Sequence, residues 1–174
     1  MAYTSDLIPD MTSNTEPSGV ASASDDLGGG YPAYRAFDDY NVGDAGNGWA
    51  CSGTSGWVQY QFTSSHVITQ YTVTNRDAGA LSRSPKSWTF KGSNNGTDWT
   101  TLDTQSNITD WASTTIKHTY PITNSTAYSY YRMNITESND ASYVGVGEIE
   151  AMETISPSSS VSLSPSTTPS LSRQ

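Results

Sequence analysis

The chain has 174 residues, a formal net charge of −9 and an isoelectric point near 4.3, with 14% charged and 11% aromatic residues. That length suits one domain with short extensions. The acidic balance speaks against nucleic acid, whose binding needs clustered Lys and Arg, and no run approaches the ~20 apolar residues that cross a bilayer.

Residues 1–11 carry little apolar periodicity and read as an N-terminal arm. Thr12 to Ser24 holds a first edge strand around Val20. Asp25-Asp-Leu-Gly-Gly-Gly30 is a loop, since consecutive glycines disfavour regular structure. Tyr31 to Phe37 leads through one helical turn into Asp38-Asp39, and Tyr40 to Gly48 is a loop. Strands are predicted at Trp57–Phe62, Val67–Thr74, Ser87–Gly92, Asp98–Thr104, Ser113–Tyr120, Tyr128–Glu137 and Val146–Met152. In Tyr131-Arg-Met-Asn-Ile135 the alternation puts Tyr131, Met133 and Ile135 inward, with Arg132 and Asn134 on the other face. Short strands at regular spacing, without a helical stripe, predict an all-β sandwich over residues 12–154. Residues 155–174 are rich in Ser, Thr and Pro and form a tail that buries too little to order itself. A passive linker is one reading; Val161, Leu163 and Leu171 leave open an extended strand docked on a partner.

The most informative stretch runs from Ser87 to Leu102. Trp88 and Phe90 alternate with Thr89 and Lys91, Gly92-Ser-Asn-Asn-Gly96 supplies turn residues, and Trp99 and Leu102 resume an apolar pattern. This predicts a hairpin whose two arms each carry a Trp toward a common core. The wording Trp-x-Phe-x-Gly-Ser-Asn-Asn-Gly-x-x-Trp resembles the discoidin family, also called factor V/VIII C-type domains, which includes the family-32 carbohydrate-binding modules. Other segments follow in the family's order: Ala36-Phe37-Asp38-Asp39, Gly48-Trp49, Trp57 to Phe62, Arg83-Ser84-Pro85, Tyr130 to Ile135, and Val146 to Glu150. The resemblance covers about Thr12 to Glu153 and implies an eight-stranded antiparallel jelly roll of the galactose-binding-like type.

The resemblance also implies two sites. A structural Ca2+ is expected where the Ala-Phe-Asp loop meets the carboxylate before the last strand, because calcium takes about six to eight hard oxygens. Carried over, Asp38 and Glu148 supply side chains, and Arg35 and Gly147 supply carbonyls. Asn47 stands where the family has Thr two residues before its Trp; the family's intervening Asn or Asp has no aligned equivalent in the longer loop, where Asp39, Asn41 and Asp44 are substitutes. Without an ion, Asp38 would cap the helical turn and Glu148 would accept loop N–H groups. A ligand site is expected at one end of the sandwich, in loops Asp25–Tyr31, Tyr40–Gly48, Asn75–Ser84 and Glu137–Val144. Sugars need a flat apolar face beside planar donors and carboxamides, so Arg76 and Tyr143 lead, followed by Asn75, Tyr31, Asn139 and Tyr40. Arg76 could instead pair with Asp77 or Asp140, and Arg83 reads as structural.

Catalytic patterns are missing. The chain shows no nucleophile elbow and no metal-hydrolase motif, and Gly145-Val-Gly147 leads into Glu148 rather than a phosphate loop. One cysteine, Cys51, excludes an internal disulfide, and His66 and His118 form no zinc motif. Four Asn-x-Thr sequons, at Asn95, Asn107, Asn124 and Asn134, are expected by chance in an Asn- and Thr-rich chain. The expectation is therefore a non-catalytic carbohydrate-binding module with glycans as partners. Its Met1-to-Asp6 start lacks the marks of a signal peptide. That start, the free cysteine and the Ser/Thr/Pro tail suggest an accessory protein of a bacterial virus, displayed in several copies on the virion or another extracellular surface. The rival is a structural capsid or tail decoration protein attached through its arms, with self-association left open. A lipid-binding domain needs exposed Trp or Phe spikes, and only Leu27 and Leu81 are on offer. A module cut from a larger glycosidase ranks last.

Overall fold

The computed structural model describes residues 1–40, 48–76, 78–111 and 117–155. Twelve strands lie among them: β1 Ala2–Tyr3, β2 Val20–Ala23, β3 Trp49–Ser52, β4 Gly56–His66, β5 Gln70–Thr74, β6 Pro85–Ser93, β7 Thr100–Gln105, β8 His118–Pro121, β9 Tyr128–Ser138, β10 Tyr143–Val146, β11 Glu148–Met152 and β12 Thr154–Ile155. Single 3₁₀ segments occupy Ala33–Ala36, the predicted helical turn, and Ala78–Arg83. Every pairing between strands is antiparallel.

Eight strands make the sandwich, in a five-stranded sheet ordered β2-β4-β9-β6-β7 and a three-stranded sheet ordered β11-β5-β8. The late strands β9 and β11 each return beside early ones, which ties the two ends of the sequence into both layers. The alternation expected of β9 holds: Tyr131, Met133 and Ile135 are buried. They join Val58, Tyr60, Trp88 and Phe90 from one layer and Tyr71, Val73, Ile149 and Ala151 from the other in one core. Across the layers Tyr71 stacks on Phe90, with centroids 4.1 Å apart and planes 6° from parallel. Such a pair contributes about 0.5–1.5 kcal/mol beyond the area it buries. The Trp88 indole N–H donates to Tyr71 Oη at 2.9 Å, and that hydroxyl donates to Asp103 Oδ2 at 2.8 Å. A polar chain thus crosses the core fully paired.

Several elements depart from expectation. Residues 1–11 are not a separate arm: β1 pairs with β12, and Ile8 and Met11 are buried in the main core. Loop packing, not a regular element, buries them, so no sustained periodicity marks the segment. The strand predicted over Val146–Met152 is divided at Gly147 between β10, which pairs with β3, and β11, which pairs with β5. Trp99 does not enter the core. Its ring lies 4.0 Å from the Arg132 guanidinium on the outward face of the five-stranded sheet, and Trp57 covers that cation at 4.1 Å. Trp99 and Leu102 are an odd number of residues apart, so the alternation of the strand puts them on opposite faces. Part of the predicted strand Ser113–Tyr120 and residues 156–174, where the linker and docking alternatives fall, lie outside the described residues.

Tyr71→Phe keeps the ring stack and leaves the Trp88 indole N–H without its acceptor. We expect a loss of about 1–3 kcal/mol in unfolding free energy. In urea titrations this reads as a lower midpoint at unchanged slope; an unchanged midpoint would show that the hydroxyl is dispensable.

Candidate functional site

The loop end is built around the β3–β10 ribbon, where Tyr143 faces Ser52, Gly145 faces Ala50 and Val146 faces Trp49. The loop over Asp25–Tyr31 is fastened to it: the Trp49 indole N–H donates to Asp25 O at 2.7 Å, and Ser52 N donates to Asp25 Oδ2 at 2.9 Å. The second of these bonds holds the Asp25 carboxyl below its ordinary range. Gly48 and Gly145 leave a slot for the stem of Arg76. A Cβ on Gly48 would lie 2.7 Å from Arg76 Cγ and 2.3 Å from Val146 O, and one on Gly145 would lie 3.1 Å from Arg76 Cδ. Gly48 also has φ +81°, which disfavours any side chain. The slot aims the guanidinium over the Tyr31 ring, 4.3 Å from its centroid. Arg76 is only 7% exposed, so this is a rigid, largely covered pair.

A second such pair sits beside Asp140, whose Oδ1 accepts from Ser142 N at 2.7 Å and Tyr143 N at 3.2 Å. There the Arg83 guanidinium lies 5.2 Å from the Tyr143 ring, and Tyr143 is 36% exposed. Arg83, read from sequence as structural, thus accompanies the leading aromatic candidate; the only advance signal was its place ahead of Ser84-Pro85. Two of the other candidates are not presented to a ligand. Asn139 Nδ2 donates to Ile108 O at 3.0 Å and Ser84 O at 3.2 Å, holding neighbouring loops together, and Asn75 is buried. Tyr40 is 45% exposed, at the edge of residues 41–47, which lie outside the described residues and include Asn41, Asp44 and Asn47. Asp77 lies outside them as well.

The carboxylates form a distinct feature. Glu148 is 1% exposed, and its Oε2 has no hydrogen-bond partner among the described residues. Burial, and then Asp38, Asp6, Asp39 and Glu150 around it, push its pKa well above the carboxylate range. Burial raises Asp38 to about 6 while its Oδ1 accepts from Tyr40 N at 3.2 Å. Burial likewise raises Asp6 to about 7, although its Oδ1 accepts from Ala151 N at 2.8 Å and Ile8 N at 3.1 Å. Arg35 stands close enough to lower Asp38, and Gly147 N–H donates to Thr74 O at 2.9 Å. A buried carboxylate oxygen without a donor, amid other carboxylates, fits a hard cation in its donor chemistry. No cluster of three or more metal-ligating side chains is present among the described residues, so carbonyls would have to complete any such set.

A family model for the F5/8 type C domain matches residues 20–149. The chain belongs to the F5/8 type C domain family. No curated protein matches it. Among solved structures, this F5/8 type C domain is similar to the family 32 module of Clostridium perfringens NanJ in complex with galactose, at 11% identity and TM-score 0.67, covering 87% of this chain and 100% of that one. It is also similar to chitosan-binding module 1 of a Paenibacillus sp. IK-5 chitosanase/glucanase, at 22% identity and TM-score 0.65, covering 85% and 98%. A third is a family 32 module of C. perfringens in complex with GalNAc-β-1,3-galactose, at 13% identity and TM-score 0.63, covering 80% and 99%. At these identities the likeness concerns the fold.

Among the described residues the large exposed apolar side chains are Met1, Val20, Tyr40, Tyr143 and Ile155, and none is Trp or Phe. The spikes that a lipid-inserting F5/8 type C domain would present are not among them.

Burial of Asp6, Asp38 and Glu148 sets the pH response of the cation-free domain. Unfolded, these carboxyls ionise near pH 4, whereas folded Asp38 and Asp6 ionise at about 6 and about 7. The folded state therefore holds more protons across that window, and stability falls as pH rises from about 4 to about 7. Asp25, Glu137 and Asp140, all shifted downward, act in the opposite sense only at lower pH. In EDTA the urea midpoint should be higher at pH 5 than at pH 8, and Asp6→Asn should flatten the slope. A midpoint rising across that range would contradict the assignment.

Proposed function

We propose that this F5/8 type C domain is a non-catalytic carbohydrate-binding module that holds one sugar unit of a glycan at its loop end. The observation that carries this reading is the doubling of the Arg–Tyr arrangement there, Arg76 on Tyr31 and Arg83 on Tyr143. Tyr143 offers an exposed ring for the C–H face of a pyranose, while guanidinium N–H groups can donate to hydroxyls. Galactose and GalNAc-β-1,3-galactose, the ligands in two of the similar structures, are of this class. A structural Ca2+, held by Asp38 and Glu148 with carbonyls from Arg35 and Gly147 and an oxygen from Asn47, would neutralise the buried carboxylates and brace the loops behind the site. The ion supplies positive charge and takes no part in sugar contact.

We further propose display in several copies on a virion or other extracellular surface, since one shallow site binds weakly and multivalency raises avidity. The placement of β1 and β12 supports display. In the β5–β11 ladder Glu148 pairs with Thr74 at the loop end and Met152 with Gln70 at the other. β12 and β1 follow at that far end, so an attachment through residue 155 would leave the ligand loops facing outward. The same placement favours the second reading, a capsid or tail decoration protein anchored through its termini without glycan binding.

A multimerised form of the protein on a glycan array separates the two. Binding to at least one glycan is expected, weakened at least about tenfold by Tyr143→Ala and by Arg76→Ala. Silence toward every glycan would leave the decoration reading standing. In a second measurement, Ca2+ at pH 7.5 should raise the melting temperature of the wild-type protein and not that of Glu148→Gln. Equal melting temperatures with Ca2+ and with EDTA would remove the ion from the proposal.

A further inference from the structure

On the outward face of the five-stranded sheet, β4 and β9 run side by side with Trp57 opposite Asn134 and Gly56 opposite Ile135. A shallow groove of about 420 Å3 opens over this pair, lined by Trp57, Asn134, Thr136, Ser55, Gly56 and Ile135. None of Arg76, Tyr31, Arg83 or Tyr143 lines it, although β9 leads from it into the Glu137–Val144 loop. The strand beneath is held on both sides, because β9 also pairs with β6.

Trp57 is fixed in position before any ligand arrives. The Arg132 guanidinium covers one face of its ring at 4.1 Å, and Arg132 is itself held by two bonds from Nε and Nη2 to Gln59 Oε1, at 2.9 and 2.6 Å. Trp99 closes the other side of the guanidinium at 4.0 Å. Trp57 lines the groove and Arg132 does not. Across from that ring stands the Asn134 carboxamide, with no hydrogen-bond partner among the described residues and so both donors and its acceptor to offer. Thr136 Oγ1 donates to Ser87 O at 3.1 Å and keeps its acceptor capacity, and the Ser55 hydroxyl adds a further donor and acceptor. The lining contains no charged side chain.

We infer that this groove is a second saccharide site, taking one uncharged pyranose ring with its C–H face on Trp57 and its hydroxyls on Asn134, Ser55 and Thr136. An indole wall beside a carboxamide and hydroxyls matches a ligand with one apolar face and a hydroxyl-bearing edge. A charged sugar would find no counter-charge in the lining, and a purely apolar ligand would leave the carboxamide unpaired. Arg132 is a positioning residue, which holds the indole upright through its ring contact. Two sites on one domain, at the loop end and on the sheet face, would let a single copy engage two units of one glycan or two chains.

Residue-resolved NMR titration of the full chain tests this, with galactose, N-acetylglucosamine and cellotetraose as neutral probes and galacturonic acid as the charged one. At least one neutral probe is expected to shift the Trp57 indole N–H and the Asn134 side-chain amide saturably. Asn134→Ala should raise the Kd read at Trp57 about tenfold and leave any response at Tyr143 unchanged. Because Trp57→Ala would also unseat Arg132, Asn134→Ala carries the test, with its fold checked in the same spectrum. The inference is overturned if no neutral probe moves Trp57 and Asn134, whether or not the loop end responds. It is equally overturned if only galacturonic acid moves them, or if Asn134→Ala leaves the Kd unaltered.

Discussion

At Gly147 the chain passes from the β3–β10 ribbon into the three-stranded sheet with no room for a side chain. A Cβ there would fall 2.2 Å from Asn75 O, and the Gly147 N–H is bonded to Thr74 O at 2.9 Å. Val146 on one side pairs with Trp49, and Glu148 on the other with Thr74. This close approach of two backbones brings the carboxylates, the Arg76 slot and the ribbon bearing Tyr143 to one end of the sandwich. A larger residue would separate them, and both proposed functions of that end would suffer together.

The same junction explains why a domain with well-paired core polar groups tolerates an unpaired carboxylate oxygen. In the layer interior one polar chain is paired throughout: Trp88 has Tyr71, Tyr71 has Asp103, and Gln105 Nε2 also reaches Asp103 at 2.9 Å. At the loop end, Glu148 is equally buried and its Oε2 has no partner among the described residues. Burying a carboxylate in this way costs free energy unless a proton or a cation compensates. The carboxylate cluster differs from the Trp88–Tyr71–Asp103 chain in this respect, since its charge is compensated by no donor at Glu148 Oε2 among the described residues.

How far the sequence could be read follows from the range of the interactions involved. The alternation in Tyr131 to Ile135 and the Trp88–Phe90 pair are local patterns, and the sandwich was legible from them. The Ala36-Phe37-Asp38 and Gly147-Glu148 segments were legible as a resemblance, and the structure brings their carboxylates into mutual influence. What escaped notice depends on distant partners. β3 and β10 are four residues each, so the period-2 signal is too short to stand out. Ile8 and Met11 are buried by residues far along the chain. Asn139 looks like a ligand carboxamide until Ile108 O and Ser84 O are found against its amide. Trp99 looks like a core residue until the Arg132 cation is in view.

β11 runs from the loop end to the edge where β12 and β1 lie, and it is laddered to β5 through five residue pairs. Tension between a captured ligand and an anchor beyond residue 155 would act along this strand. Antiparallel ladder bonds stand across the strand direction, so such a pull meets them in shear, all strained at once instead of peeled apart singly. The two-residue β1–β12 pairing could give way first without the core following. In a domain strung in this orientation the five-pair β5–β11 ladder would carry the load in shear, and the two-residue β1–β12 pairing would be the first to yield.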